Sequence, residues 1–206
     1  DGSPTLSYVT RVAESRGYDF TVQKEDVAPV VDLPTTWDDY QGALSKKERH
    51  ELRRKLRRLD RVSGVCWNTY QNSEVFPDHM REFLRLHRMS STDKSEFMTA
   101  ERESFFLGVA EELSSRGHLV LSFLELEGTK VASCISFDYL DSFLLYNSGY
   151  DPHYSSLSVG FANTAFAIRD AITSGKHRFD FLRGAERYKY DLGAVDHYIY
   201  RMVVNR

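Results

Sequence analysis

Residues 179–189, FDFLRGAERYK, follow directly on a predicted helix and give the strongest indication of the fold. Phe179, Asp180 and Phe181 alternate in polarity as strand residues do, and Gly184 marks the point where the strand ends. Ligands bind at the carboxyl ends of strands in α/β sheets. Ionisable side chains just past such an end therefore predict a binding site, here Arg183, Glu186, Tyr188 and Lys189. The alternative is a salt-bridged corner between a strand and a helix, which the clustering disfavours.

The length and composition predict one globular domain, with or without an attached sub-domain. The chain has 206 residues, of which 41% are hydrophobic and 13% aromatic, enough to form a packed core. No apolar run approaches the roughly 18 residues of a membrane-spanning helix, and no signal peptide is recognisable. The sequence begins with Asp1 rather than Met, so we expect it to be a piece of a longer protein.

The two cysteines and seven histidines indicate neither a disulfide nor a metal site. Cys66 and Cys134 lie in apolar, strand-like stretches, and no His or Cys stands near them at zinc-ligand spacing. We expect both to be buried thiols of a reducing compartment, which gives a cytoplasmic location, and we expect no metal cofactor. A catalytic cysteine is the weaker alternative.

The positive charge of the chain is concentrated in residues 46–61, KKERHELRRKLRRLDR. This segment carries nine Lys or Arg against three acids, a local charge of +6 in a chain of net charge −3. Leu52, Leu56 and Leu59 recur at helical spacing, so one narrow face is buried and the basic residues occupy the rest. A polyanion such as RNA, lipid headgroups, an acidic partner or solvent would each suit that surface. Aromatic residues suited to base stacking are not interleaved with the charges, which disfavours RNA.

Hydrophobic periodicity and turn residues predict the order of the remaining elements. A helix to Ser15 precedes two extended stretches, 18–23 and 27–33, which Pro29 and Pro34 assign to a sheet edge. Helices are predicted at 37–44, 46–61, 78–88, 100–115 and 159–173, and strands at 64–71, 119–127, 131–140, 143–150, 177–182 and 197–204.

Three of these strands form an antiparallel meander, because the links after residues 127 and 140 are short enough only for hairpins. The helix at 159–173 then joins the third meander strand to the strand at 177–182. A helical crossover of this kind makes the two strands parallel. A parallel step in an otherwise antiparallel sheet predicts a crevice at that point.

Three motifs resemble the GNAT acyltransferase superfamily: LSKKERHELRRKLRRL (44–59), GYDPHYSSLSVG (149–160) and FDFLRGAERYK. Within it, they are similar to the GNAT-like branch associated with bacterial cellulose biosynthesis (CelD/BcsL type), and more distantly to the Fem-type aminoacyl transferases. The resemblance runs from about Leu33 to the C-terminus. It implies a mixed α/β (α+β) fold with a central, mostly antiparallel sheet flanked by helices.

The resemblance also implies a domain organisation. Relatives of this type consist of two GNAT-like halves in tandem, and this chain corresponds to the C-terminal half. Residues 1–45 would be an N-terminal helix and an extended linker, and residues 46–206 the GNAT-like domain, beginning with the basic helix. The N-terminal half would then be a partner that is missing from this chain.

By the same resemblance, the donor is acetyl-CoA or another acyl-CoA. In a GNAT fold the helix after the fourth strand binds the CoA pyrophosphate through its free N-terminal N–H groups. Here that end would comprise Ser156, Leu157, Ser158, Val159 and Gly160. The usual glycine-rich signature is absent, so CoA is implied by the resemblance and not by a motif.

Acyl transfer needs a base for the nucleophile and an acid for the leaving thiolate. The resemblance implies Glu186 as the base and Tyr188 as the acid. Arg183 and Lys189 would hold phosphate or carboxylate, and further substrate contacts are expected from Asn147, Asp151, Tyr154 and Asp180.

The expected reaction moves an acyl group to an amine or hydroxyl of a sugar, an envelope precursor or a small molecule. Two alternatives stay open at the level of the sequence. One is a Fem-type transferase that depends on aminoacyl-tRNA. The other is a non-catalytic GNAT-like module in a polysaccharide-synthesis complex.

Overall fold

A seven-stranded sheet forms the centre of the computed structural model, which describes residues 3–71 and 76–205. The strands are β1 (Asp19–Asp32), β2 (Val65–Tyr70), β3 (Leu119–Leu126), β4 (Thr129–Tyr139), β5 (Ser142–Tyr150), β6 (Arg178–Asp180) and β7 (Val195–Asn205). The helices are α1 (Thr5–Ser15), α2 (Trp37–Ala43), α3 (Lys46–Leu59), α4 (Phe76–Met89), α5 (Thr92–Phe97), α6 (Ala100–Ser115), α7 (Val159–Thr173) and α8 (Arg187–Asp191), with a 3-10 helix at Pro152–Leu157.

The strand order is β2-β3-β4-β5-β6-β1-β7, and every neighbouring pair except β5–β6 is antiparallel. This confirms the mixed, mostly antiparallel sheet. The two short hairpins and the parallel β5–β6 pair are as the sequence predicts. None of the described helices combines the length and the apolar composition that a membrane crossing requires.

Strand β1 corrects the prediction of an edge. The two extended stretches form one strand that lies between β6 and β7, so part of the segment expected as a linker supplies a strand to the sheet. Pro29 is tolerated there because β6 ends opposite Val30, so the missing N–H falls just past the end of that partner. The carbonyl of Pro29 still accepts a hydrogen bond from the Phe181 N–H at 3.0 Å.

Helices cover both faces of the sheet. On one face α4 and α6 bury Phe83 and Phe106 against Leu121 and Phe123 of β3. On the other face α7 packs against β3, β4 and β5, and α3 packs against α7. A capping box begins α3, since Ser45 and Glu48 bond reciprocally at its N-terminus.

The crevice lies where β5 and β6 separate. These strands pair only from Ser142 to Leu144, opposite Arg178 to Asp180, and β5 then continues to Tyr150 paired with β4 but not with β6. A bulge at Tyr146 breaks the β4–β5 register here, because Ile135 pairs with Asn147 while Ser136 pairs with Leu145. Bulges re-aim the side chains of a strand. The predicted crevice is therefore present, and its wall is the irregular half of β5.

Candidate functional site

Two clefts open beside the half of β5 that has no partner in β6, and they meet each other. The strand cleft, of about 300 Å³, lies between β5 and the segment from Phe181 to Lys189. The helix cleft, of about 360 Å³, lies between the end of β5 and the N-terminus of α7. Both are lined by Lys94, Ser148 and Tyr188. Cavities of about 560 and 570 Å³ beside β1 and along α3 are larger, but neither contains the predicted acid and base.

Tyr188 occupies the junction of the two clefts. It lies on the five-residue helix α8, and its ring packs edge-on against Phe181 with centroids 6.0 Å apart. Burial raises the pKa of the Tyr188 phenol, and the neighbouring Cys134 and Glu186 raise it further. The phenol is therefore protonated over the whole neutral range, as a proton donor must be.

Lys189 has a different position from the one predicted. Its side chain is buried, and its Nζ donates to the carbonyl oxygens of Phe181, Leu182, Arg183 and Gly184 at 2.9–3.4 Å. The same Nζ lies 2.8 Å from Oε2 of Glu186. An ammonium has three N–H donors, and these five acceptors engage them. Lys189 thus holds the loop after β6 in shape and does not present a cation to an anionic substrate.

Arg183 and Asp180 also make local contacts. Arg183 is exposed and forms ion pairs with Asp26 and Glu25 of β1, so it borders the strand cleft while its charge is already matched. Asp180 accepts a hydrogen bond from the Leu182 N–H at 2.7 Å, and Leu182 itself has a φ of +55°. Its carboxylate therefore stabilises the turn after β6, and Asp180 is not among the described residues that line either cleft, where a substrate contact was expected.

The N-terminus of α7 forms the wall of the helix cleft. Ser158 precedes it with φ of +57°, and its side chain makes no capping hydrogen bond. The first N–H groups of a helix have no intrahelical partner and attract anions. Of the five residues predicted to bind the donor, Ser158, Val159 and Gly160 line the cleft, whereas Ser156 and Leu157 are not among its lining residues. Leu157 packs instead into the apolar cluster around Leu59 and Val159.

Gly160 lies in close contact with Tyr150. A Cβ atom at this position would lie 3.2 Å from Cδ1 of Tyr150, whose ring also lines the helix cleft. Substitution would therefore displace that ring.

The basic helix α3 contributes Lys55 to the helix cleft, a residue that the sequence analysis did not single out. Its Nζ lies 3.8 Å from the centroid of the Phe161 ring and 3.5 Å from Oε1 of Glu51. Arg58, one turn further along, donates to the carbonyl of Ser156. Part of the basic face therefore meets the 3-10 helix and the start of α7.

Helix α5 is absent from the sequence prediction, and it carries Lys94. The half-buried side chain donates from Nζ to the Ser148 carbonyl at 2.5 Å. Ser91 caps this helix by accepting the Lys94 N–H, and a serine cap was the signal available in the sequence. Asn147 lines the strand cleft as predicted, and its Oδ1 accepts the Ser148 N–H at 2.8 Å.

Asp151 and Tyr154 are not among the described residues that line either cleft. Asp151 caps the 3-10 helix by accepting the His153 N–H at 3.0 Å and contacting its ring at 2.7 Å. Tyr154 packs against the cluster that contains Leu59 and Val159. Both residues shape the loop before α7, and neither occupies the predicted position at a substrate.

The cysteines differ from each other. Cys134 is 1% exposed, and burial raises the pKa of its thiol to about 11, so it is an inert thiol beneath the clefts. Cys66 is exposed, which corrects the expectation that both are buried. No cluster of three or more His, Cys, Asp or Glu suited to a metal ion occurs in the described part of the chain.

A family model described as an acetyltransferase (GNAT) domain matches residues 46–190, more than half of the chain. The match includes α3, both clefts and Tyr188. A comparison with curated proteins gives no match.

Several solved structures share the fold. FemX aligns with a TM-score of 0.69 at 9% identity, over 95% of this chain and 66% of FemX. The C-terminal domain of a putative lysylphosphatidylglycerol synthetase from Agrobacterium fabrum gives 0.62 at 12% identity, over 97% of this chain and 65% of that domain. L-PGS from Bacillus licheniformis gives a TM-score of 0.60 at 14% identity, over 98% of this chain and 72% of L-PGS. The chain thus spans about two thirds of the length of the first two.

Proposed function

The chain belongs to the GNAT acetyltransferase domain family, and on that premise we propose that it transfers an acyl group from acyl-CoA. The acceptor is an amine or hydroxyl of a sugar, an envelope precursor or a small molecule. Sugar acceptors come first because of the resemblance to the branch associated with cellulose biosynthesis.

The observation that carries this proposal is the meeting of two clefts at Tyr188. A transferase must bring a donor and an acceptor together at one point, with a proton donor in reach of the leaving group. The helix cleft suits the donor because it contains the N-terminus of α7 and the Lys55 ammonium, both attractive to a pyrophosphate. The strand cleft then takes the acceptor.

The chemistry assigned to the junction is simple. The acceptor attacks the thioester carbonyl, the C–S bond breaks, and Tyr188 donates its phenolic proton to the departing thiolate. Glu186 lies at the mouth of the strand cleft with its side chain 58% exposed, where it can take the proton of the acceptor. Solvent returns a proton to the Tyr188 phenolate, so that the net transfer is from acceptor to thiol.

The proposal is tested by measuring release of the CoA thiol from acetyl-CoA with a series of amino sugars, amines and alcohols. We expect one acceptor class to raise the rate of release by the unchanged protein well above that with water. Binding of acetyl-CoA without release for any acceptor would contradict catalysis and favour the non-catalytic alternative.

A second candidate, aminoacyl-tRNA-dependent transfer, is favoured by the groove of about 570 Å³ along α3. Its lining combines one aromatic residue with five basic ones and no acid: Trp37, Lys46, Arg49, His50, Arg53 and Arg57, together with Gln41 and Leu56. Some of the guanidinium donors are already used, since Arg49 and Arg53 donate to neutral oxygens of Gln41 and Gly42.

The two candidates differ in their response to salt. If the groove binds tRNA, the logarithm of the tRNA-binding constant falls linearly with the logarithm of the salt concentration. Arg57→Gln, which removes one phosphate contact, then lowers the magnitude of that slope by about one. The first candidate predicts no tRNA binding at 0.15 M salt and normal binding of acetyl-CoA in the same buffer.

A further inference from the structure

Lys94 is the cation that the two clefts share. It reaches the junction from α5, whereas Tyr188 lies on α8, and its Nζ donates to the Ser148 carbonyl of β5. One of its three N–H donors is used by that carbonyl, so two remain for a ligand.

The other cations around the strand cleft are already matched. Arg183 pairs with Asp26 and Glu25, and Lys189 is enclosed by carbonyl oxygens and Glu186. Lys94, in contrast, has no carboxylate oxygen within 4 Å of Nζ among the described residues. A half-buried ammonium without a counter-ion, placed at the meeting point of two clefts, is arranged to receive negative charge that forms there.

We propose that Lys94 is a catalytic residue whose ammonium stabilises the oxyanion formed when the acceptor adds to the thioester carbonyl. The inference rests on the proposed acyl transfer and assigns a group to the oxyanion, whose charge neither Tyr188 nor Glu186 stabilises. Addition forms one C–N or C–O bond and moves the carbonyl π electrons onto oxygen, next to Lys94. Collapse restores the carbonyl, breaks the C–S bond and sends the electron pair to sulfur, which takes the proton of Tyr188.

The surroundings of Lys94 support this role. Burial lowers its pKa, and the opposing effects come from Cys134 of β4 and from Glu186. The neutral His87 of α4 and the protonated Tyr188 are the other titratable groups nearby, and they add no negative charge. In such a desolvated site a fixed cation stabilises developing charge far more than in water.

The first test uses acetyl-CoA with water as the acceptor, so that no acceptor needs to be known. Lys94→Met should lower kcat for thiol release by about 10²–10³-fold while KM changes little, because the oxyanion exists only in the transition state. Lys94→Arg should recover part of the loss. Lys47→Met removes a charge from the exposed face of α3 and should behave as the unchanged protein.

The second test measures whether bound acetyl-CoA covers Lys94, and it does not depend on turnover. An amine-selective acylating reagent followed by peptide mapping should label Lys94, and acetyl-CoA should protect it. Adenosine 3′,5′-bisphosphate, which lacks the pantetheine arm and the thioester, should not.

The outcomes separate the two claims. Equal protection by the nucleotide, or unchanged kcat in Lys94→Met with acetyl-CoA still bound, overturns the oxyanion role alone. Failure of the unchanged protein to bind acetyl-CoA in calorimetry overturns the proposed function and this inference with it.

Discussion

The Nζ atom of Lys189 lies 2.8 Å from Oε2 of Glu186 while its side chain is almost entirely buried. The same Nζ donates to carbonyl oxygens of the loop after β6 and so joins α8 to that loop. Because α8 carries Tyr188, this pair fixes the position of the predicted acid. The lysine acts on the site through the loop, and not by contact with a ligand.

Lys189→Ala should therefore lower stability first. It leaves four carbonyl oxygens without the donor that they share, and a buried acceptor without a donor costs about 1–3 kcal/mol. We expect the melting temperature to fall by several degrees. Arg187→Ala on the same helix removes an exposed side chain and should change it little. Equal melting temperatures for the two variants would contradict the structural role.

Tyr188→Phe should lower turnover by about 10²–10⁴-fold with little change in melting temperature, since only the proton donor is lost. Tyr190→Phe is the matched control, because the Tyr190 hydroxyl bonds to Asp196 outside both clefts. The rate of thiol release from acetyl-CoA measures the turnover of both variants. A Tyr188→Phe protein as active as the control would remove the phenol from the mechanism.

Gly149→Ala should destabilise the protein by about 1–3 kcal/mol through overpacking. A Cβ at this position would lie 2.4 Å from the backbone N of His87 and 2.5 Å from the carbonyl carbon of Leu86. Gly108 in α6 has open space around its Cβ direction, so Gly108→Ala should stabilise by about 0.5–1 kcal/mol. Denaturant titrations that give both changes the same sign would contradict the close contact of β5 with α4.

Because of His87, the stability of the fold should decrease as the pH falls below the pKa that this histidine has in the unfolded chain. Burial lowers its pKa from 6.5 to about 4, so the unfolded chain binds more protons between these values and stability rises with pH there. We expect a loss of about 1–2 kcal/mol from pH 7 to pH 5.

His87→Met should reduce that loss, and His50→Gln, at an exposed site, should keep it. Chemical denaturation at the two pH values measures the difference. An undiminished loss in His87→Met would assign the titration to another group.

The elements with strong periodicity could be predicted from the sequence, and those that depend on distant partners could not. The amphipathic α4 and the meander follow from local patterns. Helix α5 is six residues long and largely polar, so it has no apolar period to detect. The place of β1 depends on pairing with β6 and β7, more than 140 residues away, which outweighs the signal from Pro29.

The candidate site divides in the same way. Tyr188, Glu186 and Gly160 belong to continuous motifs, so the sequence singles them out, and they line the clefts. Lys94 and Lys55 reach the clefts only through tertiary packing of α5 and α3, so a sequence pattern does not single them out. Lys189 was misassigned because an ammonium bound to carbonyls of its own loop has the same sequence signature as one that binds substrate.

Calorimetric titration of acetyl-CoA into the unchanged protein, Lys55→Met and Lys47→Met tests whether the helix cleft binds the acyl-CoA donor. We expect one donor per chain, about tenfold weaker binding to Lys55→Met through loss of a charge-assisted contact in the helix cleft, and unchanged binding to Lys47→Met. Absence of binding to the unchanged protein, or equal affinity in all three, would contradict the assignment of the helix cleft to an acyl-CoA donor.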